Sequence, residues 1–448
     1  MLKAYGKCTY LYLCGQMRTQ VDTNGFVSLG GGIFASTTRS FSQYEIFISQ
    51  LWETDKLYMI IFTCIETIKS MKQFWLTLLL AIITVAPNLY SQESPAEKDR
   101  AWRHIESCFT PPARFRDSVG DYRSALRFYN GDTVANPTEW KSRRNEILAK
   151  WNAMLGEWPP LIENNYLQII SKVLREDFIQ YTVRFRWTPN EFTTGYLLVP
   201  VGEGKKPAVI TVFYEPETAI GLSDKPNRDF AYQLAKRGFI TLSIGTKEAS
   251  EAKTYALFYP ELNHATIQPL SMLAYAAANA WNALSRFPDV DSTRIGIVGH
   301  SFGGKWAMFA SCLFDKFACA AWSDPGIVFD ETRESVNYWE PYYLGYHPQP
   351  WRPRGVISKD NPAKGLYPEL RKKGFDLHEL HALMAPRPFL VSGGSEDPVE
   401  RWIPLNRTIE VYKLLGYENR VGMSNRPAHS PTTASNEIIY SFFEYYLK

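Results

Sequence analysis

Three observations predict an α/β fold with a mostly parallel central sheet covered by helices on both faces. From residue 208 onward, short apolar runs alternate with helical stretches, the order that builds parallel strands joined by helical crossovers. A glycine-rich turn, Gly299-His300-Ser301-Phe302-Gly303-Gly304-Lys305, follows the apolar run 294–298 and precedes a helical stretch. The chain of 448 residues is 45% hydrophobic and 15% aromatic, enough for a large core.

The elements are justified in chain order. Met71-Lys72, the apolar core 74–86 and the polar run after Ser91 have the layout of a secretory signal peptide over 71–91. The core is short for a membrane anchor, so no stable membrane insertion is expected after cleavage. Residues 1–70 lack periodicity and hold Cys8, Cys14 and Cys64, half of the six cysteines. They are expected to be a spurious extension ahead of a start at Met71, and the working protein to be secreted or periplasmic. Residues 92–175 are expected to form a helical lead-in that braces the sheet. Within them 138–155 reads as a helix, with Trp140, Ile147, Leu148, Trp151, Met154 and Leu155 on one face. Residues 176–448 are expected to be the catalytic domain.

Strands follow at 179–187, where Ile179, Tyr181, Val183, Phe185 and Trp187 alternate with polar residues, and at 195–200 across a Thr188-Pro189-Asn190 turn. Further strands are expected at 208–214, 239–244, 294–298, 317–322, 388–392 and 420–423. Helices are expected at 229–236, 269–286, 303–312, 402–416 and 435–447. Residues 325–386 form a long insertion rich in aromatics, among them Tyr338, Trp339, Tyr342, Tyr343, Tyr346 and Trp351. An insertion at a strand's C-terminal end can wall a pocket or simply pack on the sheet.

The chemistry centres on Ser301. Strand, Gly-x-Ser-x-Gly, then helix is a nucleophile elbow, whose glycines let the turn pass close to its neighbours. Such a serine needs a base that takes and returns its proton. Of His300, His347, His378, His381 and His429, the last follows the final strand and precedes the closing helix, where the base belongs. Two carboxylates can orient it: Asp397, in the loop after a late strand, is favoured, and Asp324, at the end of the strand after the elbow helix, stays open. The oxyanion donors are expected to be the backbone N–H of Phe302 and that of Tyr214 or Glu215, after the 208–214 strand. His378 and His381 lack metal-ligand spacing, so neither metal nor cofactor is expected. A formal net charge of +3 argues against a nucleic-acid partner. Cys312 and Cys319 read as core residues.

With these residues, the chain resembles the α/β-hydrolase superfamily and, within it, the glucuronoyl esterases of carbohydrate esterase family 15, from about residue 178 to the C-terminus. That family's elbow reads Gly-Cys-Ser-Arg-x-Gly-Lys. Lys305 matches its lysine, which the resemblance implies contacts a uronate. Asp324 matches its acid after the elbow, and Asp397 the second acid of some bacterial members. His300 and Phe302 depart from it, the latter replacing an arginine that assists the oxyanion. The resemblance implies a secreted serine esterase forming an acyl-enzyme, with a carbohydrate-linked ester, uronate or acetyl, as partner. Lys305, Trp339 and Trp402 are the candidate substrate contacts. The alternatives are a prolyl-oligopeptidase-like peptidase and an inactive hydrolase fold that binds glycans.

Overall fold

The computed structural model describes residues 95–252 and 254–448. The expected signal peptide and the 1–70 extension lie outside them. The strands are β1 (Gln168–Arg175), β2 (Phe178–Arg186), β3 (Phe192–Pro200), β4 (Lys206–Phe213), β5 (Ile240–Gly245), β6 (Val290–His300), β7 (Cys319–Ser323), β8 (Phe389–Gly393) and β9 (Val421–Asn425). The longer helices are α1 (Pro95–Ile105), α2 (Pro137–Leu155), α3 (Phe230–Lys236), α4 (Pro269–Leu284), α5 (Phe302–Leu313), α6 (Trp402–Leu414) and α7 (Thr433–Leu447).

The strands form one sheet in the order β1-β2-β3-β5-β4-β6-β7-β8-β9. β1 to β3 are antiparallel, and β3 meets β5 antiparallel. From β5 to β9 every pair is parallel. Alternation along the central strands sorts side chains onto two cores. Ile210, Ile297, Ala320 and Val391 join a core with Trp151 of α2, Leu273 of α4 and Phe309 of α5. Val209, Val298, Ala321 and Leu390 join the opposite one with Ile105 of α1, Leu234 of α3 and Phe443 of α7. Helices therefore cover both faces, as the strand–helix alternation predicts.

The segment ahead of residue 176 ends in a strand, β1, which pairs with β2. β1 is hard to read because it is an edge strand with nearly every side chain exposed; Ile169, Ile170, Val173 and Leu174 alternate with nothing. Asn136 caps α2 by accepting from the N–H groups of Thr138 and Glu139, both at 3.0 Å, a contribution of about 1 kcal/mol. Glu379, in the short helix His378–Ala382 of the insertion, is fully buried. It accepts from Tyr129 Oη (2.7 Å), Arg123 Nη1 (3.1 Å) and Trp151 Nε1 (3.3 Å), tying residues 123–151 to the 325–386 insertion. On the other face Trp102 of α1 packs against Tyr445 of α7. Among the described residues no helix is long and apolar enough to cross a membrane. Cys108, Cys312 and Cys319 are buried and free.

Candidate active site

The site is assembled at the C-terminal ends of the parallel strands. β6 ends at His300, and Ser301 sits between it and α5 with φ 58° and ψ −116°. A non-glycine residue there costs on the order of 1–3 kcal/mol, a strain that clusters at functional positions. The flanking glycines make the turn possible. A Cβ on Gly299 would lie 2.1 Å from Gly303 O, and one on Gly303 would lie 2.1 Å from Val212 O on β4. Asp324, the first residue after β7, is also in the left-handed region, with φ 50°.

These strand ends bring three residues into one hydrogen-bonded chain. Ser301 Oγ is 2.8 Å from His429 Nε2, and His429 Nδ1 is 2.7 Å from Asp324 Oδ2. The ionised carboxylate can only accept, so Nδ1 carries the proton and Nε2 is free to accept from the serine. Asp324 is buried, whereas Ser301 and His429 are half-buried and open to a ligand. Its carboxylate also accepts from the N–H groups of Gly394 (2.6 Å), Asp397 (2.8 Å) and Glu396 (3.3 Å). The imidazole is flanked by the ring of buried His300, whose centroid is 4.8 Å away. Burial, and then the neighbouring His429, hold His300 well below the usual imidazole range, and its Nδ1 faces Ser323.

The preference for Asp397 as the acid on His429 is therefore corrected to Asp324. The Asp397 carboxylate is engaged elsewhere: Oδ2 accepts from Gly326 N–H (2.8 Å) and Oδ1 from Ile327 N–H (2.6 Å), in the loop just beyond Asp324. Burial, and then the adjacent Asp324, push its carboxyl up to about 6.

Three other candidates also fall differently. Lys305 is buried; its Nζ donates to Pro325 O and lies 4.7 Å above the Tyr338 ring, with Tyr343 beyond. It faces the protein interior and braces the Asp324 loop, and burial draws its ammonium down to about 8. Trp339 is fully enclosed, with its indole N–H donating to Gly355 O at 2.9 Å. Trp402, the first residue of α6, is 2% exposed. Neither tryptophan offers a face to a sugar, because both side chains are spent on the core. Most of the insertion's other rings pack inward as well: Tyr338, Tyr342 and Tyr343 are buried.

At the start of α5, Phe302 presents its backbone N–H beside Ser301. Its ring is buried, and the Tyr214 ring stacks on it at 4.8 Å and 26°. Burial, above all, pushes the Tyr214 phenol up to about 12. The Glu215 carboxylate accepts from Lys225 Nζ and from Thr218 Oγ1.

One supporting residue has no sequence signal. Arg426, buried just after β9, donates to Ser392 O (2.8 Å) on β8, Ser323 Oγ (3.3 Å) on β7 and His429 O (2.7 Å). It pins the histidine loop to the two strand ends that carry the acids. An arginine after a late strand is too common in sequence to stand out. Beyond Tyr214 the approach is aromatic. Tyr255 packs edge-on against it at 4.9 Å and against Tyr342 at 5.9 Å, and the Arg354 guanidinium lies 4.9 Å over the Tyr342 ring. Arg354 and Tyr342 line a cavity of about 580 Å³.

No protein-family model matches the chain, and no curated protein matches its sequence. Solved structures do match in shape. A glucuronoyl esterase from Solibacter usitatus superposes with a TM-score of 0.56 at 18% identity, over 73% of this chain and 98% of that one. A glucuronoyl esterase of carbohydrate esterase family 15 from Caldicellulosiruptor kristjansonii gives 0.52 at 19%, over 75% and 93%. Another from Teredinibacter turnerae T7901 gives 0.53 at 17%, over 78% and 99%. At such identity the likeness is one of fold, and with the sheet order and the elbow it establishes that the chain has the α/β-hydrolase fold.

Proposed function

We propose that the protein is a serine hydrolase that cleaves carboxylic esters attached to carbohydrate, through an acyl-enzyme. The observation that carries this reading is the unbroken chain from Ser301 Oγ through His429 to the buried Asp324. As Oγ attacks the ester carbonyl carbon, its proton passes to His429 Nε2. The Asp324 carboxylate stabilises the imidazolium through Nδ1–H. The tetrahedral intermediate collapses, the C–O bond to the alcohol breaks, and the alcohol oxygen takes the proton from Nε2. Water then repeats the sequence on the acyl-enzyme and frees the acid. The Phe302 N–H, at the N-terminal end of α5, is aligned to stabilise the oxyanion.

Carbohydrate esters are the proposed substrates because the solved structures of the same shape include glucuronoyl esterases. Within that class the burial of Lys305 favours an acetyl ester over recognition of a uronate through that lysine. Export is part of the proposal and rests on the signal-like pattern at 71–91.

Purified protein assayed on a methyl glucuronate ester and on acetylated xylan, with Ser301→Ala as control, tests the reading. Ser301-dependent release of acid from either substrate supports it. Equal activity of wild type and Ser301→Ala would overturn it.

A further inference from the structure

We propose that the cavity walled by Glu340, Tyr342 and Arg354 is a subsite for a uronic acid unit with a free carboxylate, carried by the same glycan whose ester is cleaved at Ser301. The proposal rests on Ser301 as the nucleophile and on a carbohydrate ester as the substrate, and adds which carbohydrate is recognised.

The cavity has a volume of about 580 Å³, within the size range of small-molecule sites. It lies one ring beyond the elbow. Tyr342 forms part of its wall, and Tyr255 packs edge-on against Tyr342 at 5.9 Å. The same Tyr255 ring meets that of Phe302, the residue after Ser301, at 5.9 Å. A glycan seated with its ester at Ser301 therefore has a further unit at the cavity.

The polar wall is held rigidly and is incomplete. Glu340 is 1% exposed, and its Oε1 accepts from the Gly355 N–H at 3.1 Å and from Arg352 Nη1 at 3.1 Å. Gly355 O accepts in turn from the Trp339 indole at 2.9 Å and from Arg352 Nη1 at 3.3 Å. The segment that carries Arg354 is thus pinned to the one that carries Glu340, so a ligand meets a formed site. The other carboxylate oxygen, Oε2, is buried and has no hydrogen-bond partner among the described residues. A buried acceptor without a donor is costly, which favours a ligand hydroxyl that supplies one.

Charge selects among hydroxylated ligands. Glu340 and Arg352 cancel, which leaves Arg333 and Arg354 on the cavity wall against Glu334. Arg333 Nε lies 3.9 Å from Asp330 Oδ2, an oxygen that already accepts from Arg401 Nη2 at 2.6 Å. The Arg354 guanidinium is held against two rings, 4.9 Å from the centre of Tyr342 and 5.4 Å from that of Tyr255. So oriented, its planar fork can meet a carboxylate with two N–H donors. A uronic acid unit satisfies both demands: a hydroxyl donates to Glu340 Oε2, and the carboxylate accepts from Arg354. A neutral sugar satisfies only the first. Lys305 faces the interior, and Arg354 supplies a cation at the approach instead.

Ser301→Ala protein, titrated calorimetrically at low ionic strength, tests the subsite without turnover. The probes are xylotetraose, xylotetraose with one glucuronic acid branch, and trigalacturonate. At least one of the two acidic probes should bind roughly tenfold to hundredfold more tightly than xylotetraose. The preference should shrink with added salt, because Arg354 is exposed. Adding Arg354→Gln should bring the affinities to within about threefold of one another. Equal binding of all three probes, or a preference undiminished by Arg354→Gln, overturns the proposal. If Arg354→Gln does not fold, the preference and its salt dependence decide: their presence supports the subsite and their absence overturns it. Hydrolysis of 4-nitrophenyl acetate by wild type and by Ser301→Ala reports separately on the underlying reading. Equal activity of the two overturns that reading, whichever oligosaccharide binds.

Discussion

Asp324 and Asp397 hold each other's loops. The Asp397 N–H donates to Asp324 Oδ1 at 2.8 Å, while the Asp397 carboxylate accepts from Gly326 and Ile327, just past Asp324. Each backbone is thus fixed by the other's side chain. The arrangement separates two tasks: Asp324 orients His429, and Asp397 keeps Asp324 in its strained backbone conformation.

Removing the charge that faces the imidazole should be far costlier than removing its partner's. Asp324→Asn is expected to lower kcat by roughly 10³–10⁴-fold, the scale seen when a triad histidine loses its tautomer control. Asp397→Asn should lower it by no more than about tenfold, through loosened loop geometry. Steady-state kinetics on one ester separate them, and a larger loss for Asp397→Asn would contradict the assignment.

The same pair sets a pH dependence of stability. Asp397 has its carboxyl raised from the ordinary 3.8 to about 6 in the fold. The folded state then binds more protons than the unfolded chain between these values, so stability should fall as pH rises from about 4 to about 6. The full step is on the order of 3 kcal/mol. Urea denaturation across this range should show the decline in wild type and a flatter profile in Asp397→Asn.

Lys305 works in the opposite sense. Its ammonium is lowered from 10.5 to about 8 in the fold, so the unfolded chain binds more protons between these values. Stability should therefore rise as pH climbs from about 8 toward 10, and Lys305→Met should remove that rise. The same variant should keep its KM for acetyl esters within about threefold of wild type, since truncation of a group outside the substrate site leaves ground-state binding unchanged. A large KM increase would return Lys305 to the substrate.

Arg426 ties three segments together through buried charge-assisted hydrogen bonds. Arg426→Ala should cost about 3–5 kcal/mol, because it leaves buried acceptors and the two carboxylates uncompensated. It should also lower kcat by freeing the His429 loop. Thermal unfolding and kcat measured together check this; loss of neither would show that the loop holds itself.

Most of the parallel half was legible because its signals are local. The runs around 208–214, 294–298 and 388–392 are apolar on both faces, and glycines mark the elbow. β1 was not legible, since an edge strand exposed on both faces has no alternation to read. In the candidate site, Ser301 and His429 could be picked out by motif and chain order. The acid could not, because β7 and β8 are parallel neighbours whose ends carry one aspartate each, and only the fold decides which faces His429. Trp339 and Trp402 are aromatic, a property that does not distinguish a sugar platform from core packing, and both are buried. Tyr214 is legible from its place after β4, whereas the stacking of its ring on Phe302 is set by the fold.

The most direct test of the Ser301–His429–Asp324 assignment is mass spectrometry of the protein after reaction with a fluorophosphonate. The adduct should fall on the peptide containing Ser301. It should form at the wild-type rate within about tenfold in Asp397→Asn, and orders of magnitude more slowly in Asp324→Asn. No adduct on that peptide, or equally rapid labelling of the Asp324→Asn protein, would contradict the assignment.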